Sequence, residues 1–200
     1  MKRFILWGVG SIFAFIFVLS IIGLLSFHYE EGSGDFVTYN CDVKNVRVTT
    51  DIEVYKDDEY IGKVKGKLTV ITDPLALYDA SNKKLGYAGD DYAFINQDSH
   101  LIRIDKNFYT MVGGFELVGE SYRLFDEDDN YIGLAEFNEF NTKGYITDAD
   151  GNVIANYRSN FLFNDYDVMI YENCELDDEV ILLMCASYYS DQKFDARSDN

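Results

Sequence analysis

Two acidic segments, Asp126-Glu127-Asp128-Asp129-Asn130 and Asp148-Ala149-Asp150-Gly151-Asn152, place oxygen-bearing side chains at every second position. A calcium-binding loop opens this way, with carboxylate and amide oxygens converging on one hard cation. Asp126, Asp128 and Asn130 are the candidate ligands of the first segment, and Asp148, Asp150 and Asn152 those of the second. Neither completes a calcium loop. Tyr131 stands where the first needs its sharp-turn glycine, and Phe137 where it needs a bidentate glutamate. In the second, Gly151 comes two positions early, and Asn156 and Tyr157 follow where further oxygens are wanted. The competing reading is an acidic hairpin turn, because Asp, Asn and Gly tolerate left-handed backbone or bond their own main chain. Calcium is the one cofactor these residues suggest.

A second pattern is basic. Lys63, Lys65 and Lys67 share one side of an alternating strand, with Val64 on the other, and form a candidate contact for anionic lipid. Three lysines on one strand face serve equally well as a solvated edge. Catalytic chemistry finds no such foothold. Asp98-Ser99-His100 holds the members of a hydrolytic triad as sequence neighbours, whereas a working triad converges from separate elements. There is no nucleophile elbow, phosphate-binding glycine loop or zinc-protease helix. We assign no catalytic residue and expect a non-enzymatic protein. Cys41, Cys174 and Cys185 are odd in number and lack the spacing of a zinc site; Cys41 and Cys174 are left open as a pair.

The formal charge of -18 repels phosphate backbones, so no nucleic-acid partner is expected. Lys2 and Arg3 precede an uncharged run over residues 4–27. As a helix this run would reach about 36 Å, enough to cross a hydrocarbon core of about 30 Å. It exceeds the apolar region of a signal peptide and is followed by no small-residue cleavage site. We read it as a retained transmembrane helix that makes the chain a single-pass membrane protein. The two basic residues keep residues 1–3 cytoplasmic and send the rest to the extracytoplasmic side. Residues 28–45 then read as a flexible linker and lead-in, with Glu31-Gly32-Ser33-Gly34-Asp35 as its most polar part.

From residue 46 a local pattern recurs: an aromatic or β-branched strand end, an acidic turn, and a strand opening with an aliphatic residue and Gly or Ala. Its copies begin at Val54, Leu77, Leu124 and Ile146, two pairs that suggest a duplicated half. Alternating runs from Val46 to Tyr171 amount to roughly ten to thirteen strands, and a sheet of that size tends to curl or close. Residues 180–189 (VILLMCASYY) are almost wholly apolar and too short to span a bilayer, so they must be buried. A barrel of about twelve strands has a lumen that one helix can plug. Asp177, Asp178 and Glu179 supply an acidic helix start, giving a central helix over residues 178–190 in a domain ending at 192. Residues 193–200 read as a polar tail.

Residues 55–66 (YKDDEYIGKVKG), 145–155 (YITDADGNVIA) and 177–191 (DDEVILLMCASYYSD) together resemble the tubby C-terminal-like superfamily, which includes LURP-one-related and phospholipid-scramblase-like proteins. The resemblance spans residues 46–192 and implies a closed twelve-stranded barrel around a hydrophobic C-terminal helix. The expected function is a membrane-anchored binding or interaction domain whose partner is a protein or a lipid. The alternative is a scramblase-like lipid-handling protein, modulated by calcium.

Overall fold

The structure, a computed structural model, describes residues 27–45, 50–66, 75–90, 99–114, 119–138, 142–159 and 165–198. Twelve strands follow one another: β1 (Phe36–Asn45), β2 (Asp51–Lys56), β3 (Glu59–Gly66), β4 (Leu75–Asp79), β5 (Lys84–Asp90), β6 (Ser99–Ile104), β7 (Asn107–Gly114), β8 (Glu120–Phe125), β9 (Tyr131–Phe137), β10 (Lys143–Asp148), β11 (Val153–Ser159) and β12 (Asp165–Tyr171). Each pairs antiparallel with its neighbour in sequence, and β1 also pairs with β12, which closes the sheet into a barrel. The residues Asp57 and Asp58 both have positive φ, 51° and 65°, and so make the tight two-residue turn between β2 and β3 whose twist matches that of a hairpin.

The recurring pattern has one structural meaning. Opposite Val54–Tyr55, Leu77–Tyr78, Leu124–Phe125 and Ile146–Thr147 the partner strand carries one extra residue, respectively Ile61, Leu85, Ile132 and Ile154. Each copy is thus a hairpin with a bulge at the same place, and a bulge increases local twist and bends the sheet toward closure. The glycine after the bulge is dictated by the next strand. A Cβ at Gly62 would lie 2.1 Å from the Tyr78 carbonyl oxygen, and one at Gly133 would lie 2.0 Å from that of Thr147. Tyr78 and Thr147 themselves sit at the bulge of the following hairpin, so the two halves of the barrel repeat the same close approach.

The lumen holds a single helix, α1 (Asp178–Ser198). Val180, Ile181, Leu183, Met184, Cys185, Ala186 and Tyr188 are all completely buried, against inward side chains contributed by every one of the twelve strands. Asp178 and Glu179 in the first turn offset the helix dipole. Deeper in the barrel the Tyr188 ring stacks on Phe137 at 3.6 Å and meets Tyr157 edge-on at 5.7 Å, and Tyr189 stacks on Tyr166 at 5.0 Å. Such ring pairs add to what their buried area contributes.

Three expectations about boundaries change. The barrel starts at Phe36 rather than at residue 46, because Tyr39, Cys41 and Val43 alternate inward on β1 and this strand closes the barrel. The helix runs to Ser198 rather than stopping at 190; no proline or glycine interrupts residues 190–198, so the backbone continues as helix once the apolar run is over. Finally, the lead-in is a docked segment. The Gly32 amide donates to Asn156 Oδ1 at 3.2 Å, Asn156 Nδ2 donates to the Glu30 carbonyl at 2.7 Å, and the Tyr171 hydroxyl donates to Asn156 Oδ1 at 2.6 Å. Arg158 pairs with Glu31 at 2.6 Å, and Phe27 and Tyr29 pack against Tyr145, Val153 and Tyr171 on the outer wall. The polar sequence of this segment predicts flexibility, but its main chain supplies partners for the buried Asn156 amide. Among the described residues no helix is long and apolar enough to cross a membrane. The span expected over residues 4–27 lies outside the described residues except for Phe27.

Candidate ligand pocket at the acidic end of the barrel

Up-and-down topology gathers one set of connections at one end. The turns β2–β3, β4–β5, β6–β7, β8–β9 and β10–β11 all lie there, together with the link from β12 into α1. These segments carry Asp57–Glu59, Asp79, Asp105, Asp126–Asp129, Asp148, Asp150 and the acids between Glu172 and Glu179, against Lys56, Lys83, Lys84 and Lys106. The end of the barrel where α1 enters is therefore strongly negative.

A cavity of about 700 Å³ opens at this end between the 174–179 segment and strands β1 to β5. Its floor is apolar: Val54, Leu77 and Leu182 from the core, with the bulge residues Ile61 and Leu85 beside them. Its rim is acidic, formed by Asp79, Glu175, Asp177, Asp178 and Glu179. The Tyr39 hydroxyl donates to the Asp178 carboxylate, and Lys56 lies over the Tyr39 ring, 5.4 Å from its centre. Burial, helped by the Asp178 bond and the charges of Asp178, Glu179 and Asp57, holds the Tyr39 phenol far above its ordinary pKa. Cys174, half-buried in the pocket wall, is also raised, chiefly by burial, while its thiol donates to the Leu176 carbonyl at 3.5 Å. Neither group is poised as a nucleophile at neutral pH. The pocket is chemically suited to holding a molecule.

The residues singled out in the sequence lie elsewhere. Asp126 Oδ1 accepts the amides of Asp128 and Asn130 at 3.0 and 2.9 Å, and Asn130 Nδ2 donates to Asp126 Oδ2 at 3.0 Å. Asp148 repeats this with the amides of Asp150 and Asn152 at 3.0 and 2.8 Å and with Asn152 Nδ2 at 2.9 Å. Asp79 does the same with the amides of Ser81 and Lys83 and the Ser81 hydroxyl. These bonds hold all three carboxyls below their ordinary pKa, led by the Asn130 and Asn152 side chains at Asp126 and Asp148 and by Ser81 at Asp79. The leading oxygens of both expected calcium segments thus serve their own turns, and Asp128 and Asp150 point into solvent. Among the described residues no group of three or more His, Cys, Asp or Glu side chains is placed to hold a metal ion.

Lys63 donates to the Asn82 side chain, and Lys65 pairs with Asp51 at 3.7 Å. Lys67 lies outside the described residues, as does Asp98 beside the β6 residues Ser99 and His100. All three cysteines are free, with Cys41 and Cys185 sealed in the core. The pocket is not legible in the sequence because its residues come from five strands and the stretch that leads into α1. One signal did mark it: the aliphatic residue recurring before Gly or Ala in each repeat, which at Ile61 and Leu85 becomes pocket floor. Compared with protein-family models, with curated proteins and with solved structures, the chain matches none.

Proposed function

We propose that this protein is a membrane-anchored, non-enzymatic binding domain of tubby-like architecture, and that its ligand seat is the pocket at the acidic end of the barrel. The pocket carries the proposal: about 700 Å³ with an apolar floor and a few convergent polar groups is the size and make-up of a small-ligand or side-chain site. The closed twelve-stranded barrel around an apolar helix supports the tubby-like reading. The uncharged run over residues 4–27 supports the anchor, and Lys2 and Arg3 support an extracytoplasmic barrel. The docked lead-in adds to this, since an anchor ending at Phe27 would end against the barrel wall rather than on a loose tether. The lipid-handling alternative has less behind it, because Lys63 and Lys65 already have polar partners and the larger share of the charge nearby is negative.

The test is a screen of small amphipathic fragments by ligand-observed NMR on the full chain in phosphatidylcholine nanodiscs. Fragments whose signal disappears in the Ile61→Trp variant, which fills the pocket from its floor, support the assignment. Hits that survive Ile61→Trp unchanged, or fragments that bind only empty nanodiscs, contradict it.

A further inference from the structure

Resting on the reading of this pocket as a ligand seat, we infer the chemical class of its occupant: a peptide segment in which a lysine or arginine lies beside an apolar side chain. The pocket has two unlike parts that must be satisfied together. Its floor of Val54, Ile61, Leu77, Leu85 and Leu182 gains only by covering apolar surface. Its rim gains only by receiving positive charge. Glu175, Asp177 and Glu179 form no salt bridge among the described residues, and Lys56 is engaged with Tyr39. The neighbouring Asp57–Glu59 turn adds further negative charge rather than offsetting it. Glu175 and Asp177 are exposed beside an apolar floor, so a cation with a long apolar stem can place its head among them while the stem covers the floor.

Other occupants satisfy one part only. A metal ion leaves the floor wet and would find no three-ligand cluster among the described residues. An anionic headgroup meets the wrong sign of field, and a wholly apolar molecule leaves the rim unpaired. A basic and apolar peptide matches both, with the long arm of Lys or Arg along the wall and its head among Glu175, Asp177 and Glu179.

Cys174 makes the occupant measurable, because it lies in the pocket wall while Cys41 and Cys185 are buried. The full chain in phosphatidylcholine nanodiscs is treated with N-ethylmaleimide, and modification of Cys174 is followed by mass spectrometry. The probes are acetyl-Leu-Lys-Leu-Lys-amide and its counterparts with Gln or Glu in place of Lys. The lysine peptide should slow Cys174 modification several-fold, the glutamate peptide should not slow it, and protection should weaken with salt. In a Glu175→Gln/Asp177→Asn variant with an unchanged melting temperature, the lysine peptide should lose most of its effect. Equal protection by the glutamine peptide overturns the cationic assignment and leaves the pocket a ligand seat. Absence of protection by the lysine peptide, in a protein that still loses fragments on Ile61→Trp, overturns it as well.

Discussion

An aspartate that opens a four-residue turn can bind two of that turn's amides with one oxygen, and Asp79, Asp126 and Asp148 all do so. Because the folded turn favours the ionised form, each carboxyl titrates below its ordinary value, about 3.9 for an unfolded chain. The sign follows from linkage: this stabilisation is present above the unfolded value and disappears as the pH falls through the depressed one. All three groups face solvent, so each effect is small. A triple variant, Asp79→Asn/Asp126→Asn/Asp148→Asn, keeps the acceptor oxygen without the charge. Its melting temperature should be slightly lower than wild type at neutral pH and should fall less steeply below about pH 4; parallel curves for the two proteins would contradict the assignment. Asn156 makes a different kind of bond set. It is buried on the outer wall, 1% exposed, and holds Glu30, Gly32 and Tyr171 at once. Asn156→Ala leaves those groups unpaired, at a cost of about 1–3 kcal/mol. Limited proteolysis should then cut the 27–35 segment faster than in wild type while leaving the barrel whole.

At the level of elements, the unit is a hairpin whose second strand carries an extra aliphatic residue followed by Gly or Ala. The pattern was legible in the sequence because turn chemistry and alternation are local. Its meaning was not, because the atom that forbids a side chain at Gly62 is the carbonyl of Tyr78, on the next hairpin. The same contrast separates the two ends of the barrel domain. The central helix could be read from ten apolar residues with no polar face. β1 was missed because its outward Asn40, Asp42 and Lys44 disguise the inward Tyr39, Cys41 and Val43, and only pairing with both β2 and β12 reveals it. Gly133→Ala tests the unit. Its methyl would press on backbone that is fixed by two ladders, so the melting temperature should fall by many degrees, whereas Gly151→Ala, in open space but at φ 86°, should cost less. Equal stability of Gly133→Ala and wild type would mean the bulged hairpins are more loosely paired than the register indicates.

For the molecule as a whole, closure of the sheet and burial of the helix are one event, since the inward faces of all twelve strands have nothing else to cover them. Topology also gathers turns rich in aspartate at the end where α1 enters, and the pocket opens among them. The three free cysteines differ sharply in access. Cys41 and Cys185 lie in the core, where burial drives the Cys41 thiol up to about 12 and Cys185 higher still, while Cys174 lines the pocket. The most direct measurement is therefore the rate of maleimide modification at each cysteine of the folded full chain, read by peptide mass spectrometry with and without denaturant. The account predicts modification of Cys174 alone under native conditions, with Cys41 and Cys185 reacting together only as the barrel unfolds. Native modification of Cys185 at a rate comparable to Cys174 would contradict it, because the helix would then lie outside a sealed barrel and the pocket would have no floor.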